Sequence, residues 1–139
     1  MIDNETVRKL RQLDLSEFVD TLEMQEMDQD TRHLPFDERL QLSIDYLYQE
    51  KYNKRVSGLI KRSKFRIQDA DVASIHYEKR EIDRQTLQEL ATCNYINHRQ
   101  NVIFQGFTGS GKTYLACALG KEACKQEIRT RYVRLPDLL

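Results

Sequence analysis

Apolar side chains recur every three or four residues through much of the first half of the chain, which is the spacing of helices that bury one face. The pattern predicts a short helix over residues 4–13, a second helix capped by Ser16, and a long helix over about 36–63. Gly58 lies inside the long helix and weakens it by about 1 kcal/mol relative to Ala, so a break is expected there if anywhere. The N-terminal part of the chain is therefore expected to be helical.

The pattern changes in the second half, where short apolar runs appear between helical stretches. Residues 69–82 are typical of an extended connector with a short strand at 72–77, and Asp83 is a candidate cap for a further helix. The apolar run 101–105 is typical of a buried parallel strand, and residues 130–135 predict a second strand. Strands that alternate with a helix favour a parallel sheet.

A glycine-rich stretch between the two predicted strands carries the clearest chemistry. Residues 106–113 are Gly-Phe-Thr-Gly-Ser-Gly-Lys-Thr and fit G-x-x-x-x-G-K-[ST], the phosphate-binding P-loop or Walker A motif. Glycines let such a backbone turn so that its N–H groups face phosphate oxygens. Lys112 is then the candidate to reach the β- and γ-phosphates of ATP, and the hydroxyl of Thr113 is the candidate ligand for Mg²⁺.

The flanks of the motif decide whether it is a chance glycine-rich turn. Leu115, Leu119 and Ala123 recur at four-residue spacing and predict a helix directly after the loop, with its positive dipole end towards a bound anion. A strand before and a helix after are the context that the motif requires. Lys112 is the predicted catalytic residue, and the predicted ATP-binding residues are Gly106, Phe107, Thr108, Gly109, Ser110, Gly111, Lys112, Thr113 and Tyr114.

Together these elements predict an α/β fold. Residues 1–68 are expected to form an N-terminal helical domain, and residues 69–139 a linker and the first part of a P-loop NTPase domain with a parallel sheet, truncated after its second core strand. No apolar strand ending in paired acids follows Thr113, so no Walker B residue is found for Mg²⁺. We expect this chain alone to bind nucleotide poorly and to hydrolyse it negligibly.

Charge is unevenly distributed although the net charge is zero. Residues 1–50 carry 5 basic and 13 acidic side chains, whereas residues 51–139 carry 17 basic and 9 acidic ones. No acid interrupts the basic residues between 51 and 66, a pattern that predicts contact with the phosphate backbone of DNA. A solvated helix face, or a complement to the acidic half, explains the same run. The candidate DNA-binding residues are Lys51, Lys54, Arg55, Lys61, Arg62, Lys64 and Arg66.

Nothing in the pattern points to secretion, a membrane or a metal cluster. The N-terminus lacks the apolar region of a secretory signal, and no apolar run approaches the ~18 residues of a membrane span. Cys93, Cys117 and Cys124 lack C-x-x-C spacing and are interpreted as buried, reduced thiols. The three histidines are scattered without metal-site spacing. These features predict a cytoplasmic protein.

The residues around the loop resemble a known family. The stretch 101–116, with Leu-Gly-Lys-Glu-Ala-Cys at 119–124 and Val-Arg-Leu-Pro-Asp-Leu-Leu at 133–139, resembles IstB-like ATP-binding proteins, as does Pro-Phe-Asp-Glu-Arg-Leu at 35–40. Members of that family are AAA+ ATPases that help an insertion-sequence transposase, and they are similar to the helicase loader DnaC. The resemblance implies an N-terminal helical domain, ATP-dependent self-assembly into a homo-oligomer on DNA, and contact with the transposase.

Three functional interpretations stay open at this point. The loop does not separate a transposition helper from a helicase loader of the DnaC type, although a transposase frame immediately upstream would favour the helper. A third interpretation is a non-enzymatic helical module that binds DNA or protein and carries a vestigial loop. Stabilisation by ATP and Mg²⁺ that depends on Lys112 would exclude this third interpretation.

Overall fold

A computed structural model describes residues 2–78 and 81–138. Across these residues the chain is largely helical, with one short 3₁₀ turn at Val72–Ser74. The α-helices are α1 Asn4–Gln12, α2 Ser16–Met27, α3 Gln29–Arg32, α4 Phe36–Ser63, α5 Arg84–Ala91, α6 Asn94–Asn97, α7 Lys112–Lys125 and α8 Leu135–Leu138.

The helix ends follow from local capping chemistry. Asp3 accepts a hydrogen bond from the backbone N–H of Thr6 at 2.8 Å, which satisfies one of the orphan donors at the start of α1. Asp83 caps α5 in the same way, as predicted, and hydrogen bonds from the hydroxyl of Thr86 and from the backbone N–H of Gln85 lower the pKa of its carboxyl. The predicted cap at Ser16 is wrong, because Ser16 is already the first helical residue of α2. The long helix α4 spans the predicted residues and continues through Gly58 without a break.

The predicted parallel sheet is wrong. Within residues 2–78 and 81–138 no segment is a strand, and the stretches at 101–105 and 130–134 are irregular. A strand forms only where a neighbour supplies a ladder of backbone hydrogen bonds, and no such bond joins these two described stretches. Instead, the N–H of Tyr132 donates to the carbonyl of Ser63 at the end of α4. The apolar runs therefore do not form a sheet, and Ile103 at the centre of the first run is 79% exposed.

The short strand predicted at 72–77 is also absent from the described part of that segment. Asp71 accepts a hydrogen bond from the N–H of Ala73 at 2.9 Å, and this contact starts the 3₁₀ turn. A side chain that bonds to its own backbone two residues ahead competes with strand pairing, because it uses up the N–H that a ladder needs. Capping by Asp71 therefore produces a 3₁₀ turn here, in place of the strand that the apolar pattern predicts.

The chain divides into two compact units, the first ending at Lys54 and the second starting at Arg55. In the first unit Val19 is fully buried, and a buried polar contact joins Gln25 to Ser43. The amide nitrogen of Gln25 donates to Ser43 Oγ and to the carbonyl of Arg39, both at 2.9 Å. These partners satisfy a polar group that would otherwise be costly to bury. The predicted domain division after residue 68 stays a prediction.

In the second unit α7 supplies the centre of the core. One buried cluster joins Cys117, Ala118 and Cys124 of α7 to Phe65 and Ala70. A second cluster joins other α7 residues to α5 and the connector, and its buried members are Ile75, Leu87, Leu115 and Leu119. Because α7 contributes to both clusters, the helix is held on two sides, and its first turn is fixed relative to the rest of the unit.

The cysteines are buried and unpaired with one another, as predicted. Burial raises the pKa of the Cys93 thiol, so this group stays protonated and unreactive at neutral pH. Cys124 Sγ lies 3.3 Å from Ser63 Oγ inside the core. All three thiols therefore act as small packing groups.

Candidate functional site

The glycine-rich loop at residues 106–113 turns sharply before α7. Gly109 and Gly111 have φ angles of 79° and 97°, in the left-handed region that only glycine adopts without strain. The N–H of Ser110 donates to the carbonyl of Phe107 at 3.1 Å, which closes a tight turn. Helix α7 begins at Lys112, directly after Gly111. The glycines thus stand where the backbone of the loop requires them.

The backbone N–H groups of the loop are mostly uncommitted. In the part of the chain that the structure describes, Ser110 is the only residue between 106 and 113 whose N–H donates to another protein group. Unpaired donors at the start of a helix, together with the positive end of its dipole, favour a bound anion. The loop therefore has the donors that phosphate oxygens require.

Lys112 adds a full positive charge to these donors. Its Nζ donates to the carbonyl of Gly106 at 2.5 Å, so the side chain folds back from the end of the loop to its start. Thr113 follows in the first turn of α7 and is half-buried. Tyr114 behaves differently, because its hydroxyl accepts a hydrogen bond from the N–H of Asp71 at 3.2 Å. The phenol of Tyr114 is thus held by residues outside the loop.

A cavity of about 580 Å³ opens beside the loop. Gly109, Ser110 and Lys112 line one side of it, and Glu81 and Ile82 line another. The volume falls within the range of about 300–1,000 Å³ that is usual for small-molecule sites. Sequence reasoning missed the wall formed by residues 81 and 82, because the order of residues in an irregular connector does not reveal which part packs beside the loop.

The left-handed φ angle of Gly111 leads to a testable prediction. Gly111→Ala places a Cβ in the left-handed region and should lower the free energy of unfolding by roughly 1–2 kcal/mol. Gly58→Ala is the matched control, because Gly58 lies inside α4 and its new Cβ would meet only the flexible end of Arg62 at 3.1 Å. That change should raise stability by roughly 0.5–1 kcal/mol. Urea unfolding of both variants measures the difference, and equal stability of Gly111→Ala and wild type would contradict the strain.

The predicted DNA-binding residues fall into two groups. The first three are committed to carboxylates: the ion pairs are Lys51 with Asp14, Lys54 with Glu17, and Arg55 with Glu127. The hydrogen bond from Lys54 lowers the pKa of Glu17. The last four are exposed and, among the residues described, make no ion pair: these are Lys61, Arg62, Lys64 and Arg66. The second group is therefore better placed to meet an external phosphate.

No group of three or more His, Cys, Asp or Glu side chains in the described residues could hold a metal ion. None of the described helices combines the length and the apolar character that crossing a membrane requires.

Comparison with known proteins identifies the family. The family model described as "IstB-like ATP binding protein" matches residues 8–139, which is nearly the whole chain. The chain belongs to the IstB-like family. This IstB-like chain is 35% identical, over its full length, to a Pseudomonas fluorescens protein named for insertion sequence IS1162 and for ATP binding.

Other relatives carry names of the same kind. The chain is 32% identical over its full length to a Sinorhizobium fredii protein, y4uH, named for an insertion sequence and for ATP binding. It is 28% identical, over 78% of its length, to a Geobacillus stearothermophilus protein named for insertion sequence IS5376. The IstB-like chain spans 61% of the IS1162 relative, 56% of y4uH and 43% of the IS5376 relative.

Proposed function

We propose that this IstB-like chain binds ATP with Mg²⁺ through residues 106–113, as the nucleotide-binding part of a DNA transposition helper. The observation that carries the proposal is the turned loop with uncommitted backbone N–H groups, next to the ammonium of Lys112. The family match and the names of the relatives support ATP as the nucleotide and an insertion sequence as the setting.

Each part of the loop has a distinct role in this proposal. The backbone N–H groups of Gly109, Gly111 and Lys112 hold phosphate oxygens, and the turn at the two glycines keeps side chains out of their way. Lys112 Nζ exchanges the carbonyl of Gly106 for the β- and γ-phosphates and offsets their charge. The hydroxyl of Thr113 is the ligand offered to Mg²⁺, which supplies further charge neutralisation when bound. The cavity beside residues 81 and 82 gives space for the rest of the nucleotide.

Thr113 provides the test of the magnesium part. Thr113→Val keeps the shape of the side chain but removes the hydroxyl, so affinity for ATP in the presence of Mg²⁺ should fall about tenfold, or about 1.4 kcal/mol. In EDTA the two proteins should bind ATP equally. A fluorescent ATP analogue, titrated with and without Mg²⁺, measures both cases. The exposed Thr108→Val is the control, and a Thr113→Val protein with undiminished Mg²⁺ dependence would contradict the role of the hydroxyl.

The DNA part of the proposal rests on the unpaired group of basic residues. Lys61, Arg62, Lys64 and Arg66 are exposed and make no ion pair among the described residues, whereas Lys51, Lys54 and Arg55 are paired with carboxylates. Contact with the DNA backbone, ATP-dependent self-assembly, and action with a transposase complete the proposed helper. Hydrolysis by such a helper is attack by water on the γ-phosphorus of ATP, which breaks the bond to the β-phosphate oxygen and releases ADP and phosphate, with Lys112 offsetting charge. The relatives' names favour transposition over helicase loading.

A further inference from the structure

Two separate parts of the sequence meet at a basic groove in the second unit. Lys64 and Arg66 follow α4, and Arg131 and Arg134 precede α8. All four line one groove of about 410 Å³, together with Tyr132, Val133 and Asp137. The sequence placed the first two residues in a basic run, but it gave no reason to join them to Arg131 and Arg134.

Hydrogen bonds at the end of α4 hold the two walls of this groove together. Ser63 is fully buried, and its Oγ lies 2.6 Å from the carbonyl oxygen of Thr130. The carbonyl of Ser63 accepts from the N–H of Tyr132 at 2.8 Å. Lys64 then takes a left-handed conformation with φ of 54°, which ends the helix beside segment 130–132. The basic residues on both sides are thus brought together by neutral contacts.

The charges of the groove are available to a ligand. Lys64, Arg66, Arg131 and Arg134 are all exposed, and in the described ranges none of them makes an ion pair. A single carboxylate, Asp137, faces these four cations. A concave surface with an excess of one charge concentrates the field that attracts an opposite charge. Arginine also matches phosphate geometry by offering paired N–H donors.

We propose that this groove binds neighbouring phosphates of a DNA backbone, with Arg131 and Arg134 as contacts in addition to Lys64 and Arg66. The proposal deepens the DNA contact of the proposed function and rests on it. Exposed cations on two facing walls suit an extended polyanion that passes across the groove. A site for one small anion would enclose its cations, whereas these four remain open to solvent.

The salt dependence of DNA binding tests the groove. Fluorescence anisotropy of a labelled duplex of arbitrary sequence, titrated with the full chain at several KCl concentrations, gives the slope of log K against log salt. Each phosphate contact contributes about 0.9 to that slope, so Arg131→Ala with Arg134→Ala should reduce its magnitude by about 1.8 and weaken binding at every concentration. Arg131→Lys with Arg134→Lys keeps both charges and should retain most of the slope.

Lys51→Ala with Lys54→Ala is the matched control, because it also removes two positive charges but from residues already paired with carboxylates. Its slope should equal that of wild type. If the control and the groove variant lose slope equally, general charge and not the groove is responsible, and the inference is overturned. The inference is also overturned if the groove variant keeps the wild-type slope, while DNA contact as such survives.

Failure of the wider DNA proposal has a different signature. If the wild-type chain does not bind the duplex even at low salt, both the proposed DNA contact and the groove are rejected, while ATP binding is judged by its own measurements. The groove residues are exposed, so their replacement should leave the thermal unfolding temperature unchanged. If the alanine variant unfolds, the salt slope is measured instead with Arg131→Gln and Arg134→Gln, which removes both charges but keeps more of each side chain.

Discussion

Replacement of Lys112 by Ala abolishes the stabilisation that ATP and Mg²⁺ give to the wild-type chain. A ligand present at about a hundred times its Kd and bound only to the folded state adds ~2.7 kcal/mol to the free energy of unfolding. Lys112 is the loop residue whose ammonium lies over the start of the loop, so its removal takes away the main charge available to the phosphates. Thermal unfolding with and without MgATP measures the change, at millimolar nucleotide because we expect weak binding.

Lys121→Ala is the control for this experiment. Lys121 lies on the same helix, and its Nζ donates to the carbonyl of Gln68 at 3.4 Å, away from the loop. This variant should keep the wild-type response to nucleotide. Equal responses in Lys112→Ala and wild type would place the nucleotide elsewhere. An absent response in wild type would instead favour the helical interaction module with a vestigial loop.

Phe65→Ala should lower the free energy of unfolding by about 3–5 kcal/mol, because it leaves a cavity in a buried cluster. Phe65 is only 5% exposed and packs directly over Gly120 of α7. A Cβ at residue 120 would lie 2.6 Å from Phe65 Cε1 and 2.9 Å from Cζ. Gly120→Ala alone should therefore destabilise by about 1–3 kcal/mol through overpacking.

The double variant, Phe65→Ala with Gly120→Ala, gives the decisive result. Without the ring, the new methyl group has room, and Ala is favoured over Gly inside a helix by about 1 kcal/mol. Gly120→Ala should thus become neutral or stabilising in the Phe65→Ala background, so the two effects do not add. Urea unfolding of the four proteins measures the coupling, with Phe65→Leu in place of Phe65→Ala if the latter fails to fold. If the changes in the free energy of unfolding are strictly additive, the contact between the Phe65 ring and α7 is contradicted.

The sequence predicted the helical part of the molecule well because that part depends on local information. The apolar spacing gave both ends of α4, and the acidic side chain of Asp83 marked the start of α5. The motif also located the loop directly before α7, where two glycines have left-handed φ angles. Spacing, capping and glycine chemistry act within a few residues, so they can be seen in the chain itself.

The errors and omissions concern contacts between distant residues. An apolar run such as 101–105 is typical of a buried strand, but a strand also needs a partner with which to pair. The wall of the cavity at residues 81 and 82, and the meeting of Arg66 with Arg131, join segments far apart in sequence. Periodicity and charge counts carry no information about such meetings. The sequence therefore predicted the position of the turned loop before α7 but not the residues that surround it.

The junction at Ser63 has a consequence for how salt experiments are understood. The two walls of the basic groove are aligned by two hydrogen bonds between uncharged groups. One runs from the hydroxyl of Ser63 to the carbonyl of Thr130, and the other from the N–H of Tyr132 to the carbonyl of Ser63. Ionic strength screens interactions between charges but leaves such bonds nearly unchanged. Raising the concentration of KCl should consequently lower the affinity of the basic groove for a polyanion without changing the width of the groove. The measured salt slope then reports the number of displaced counterions and not a conformational change of the protein.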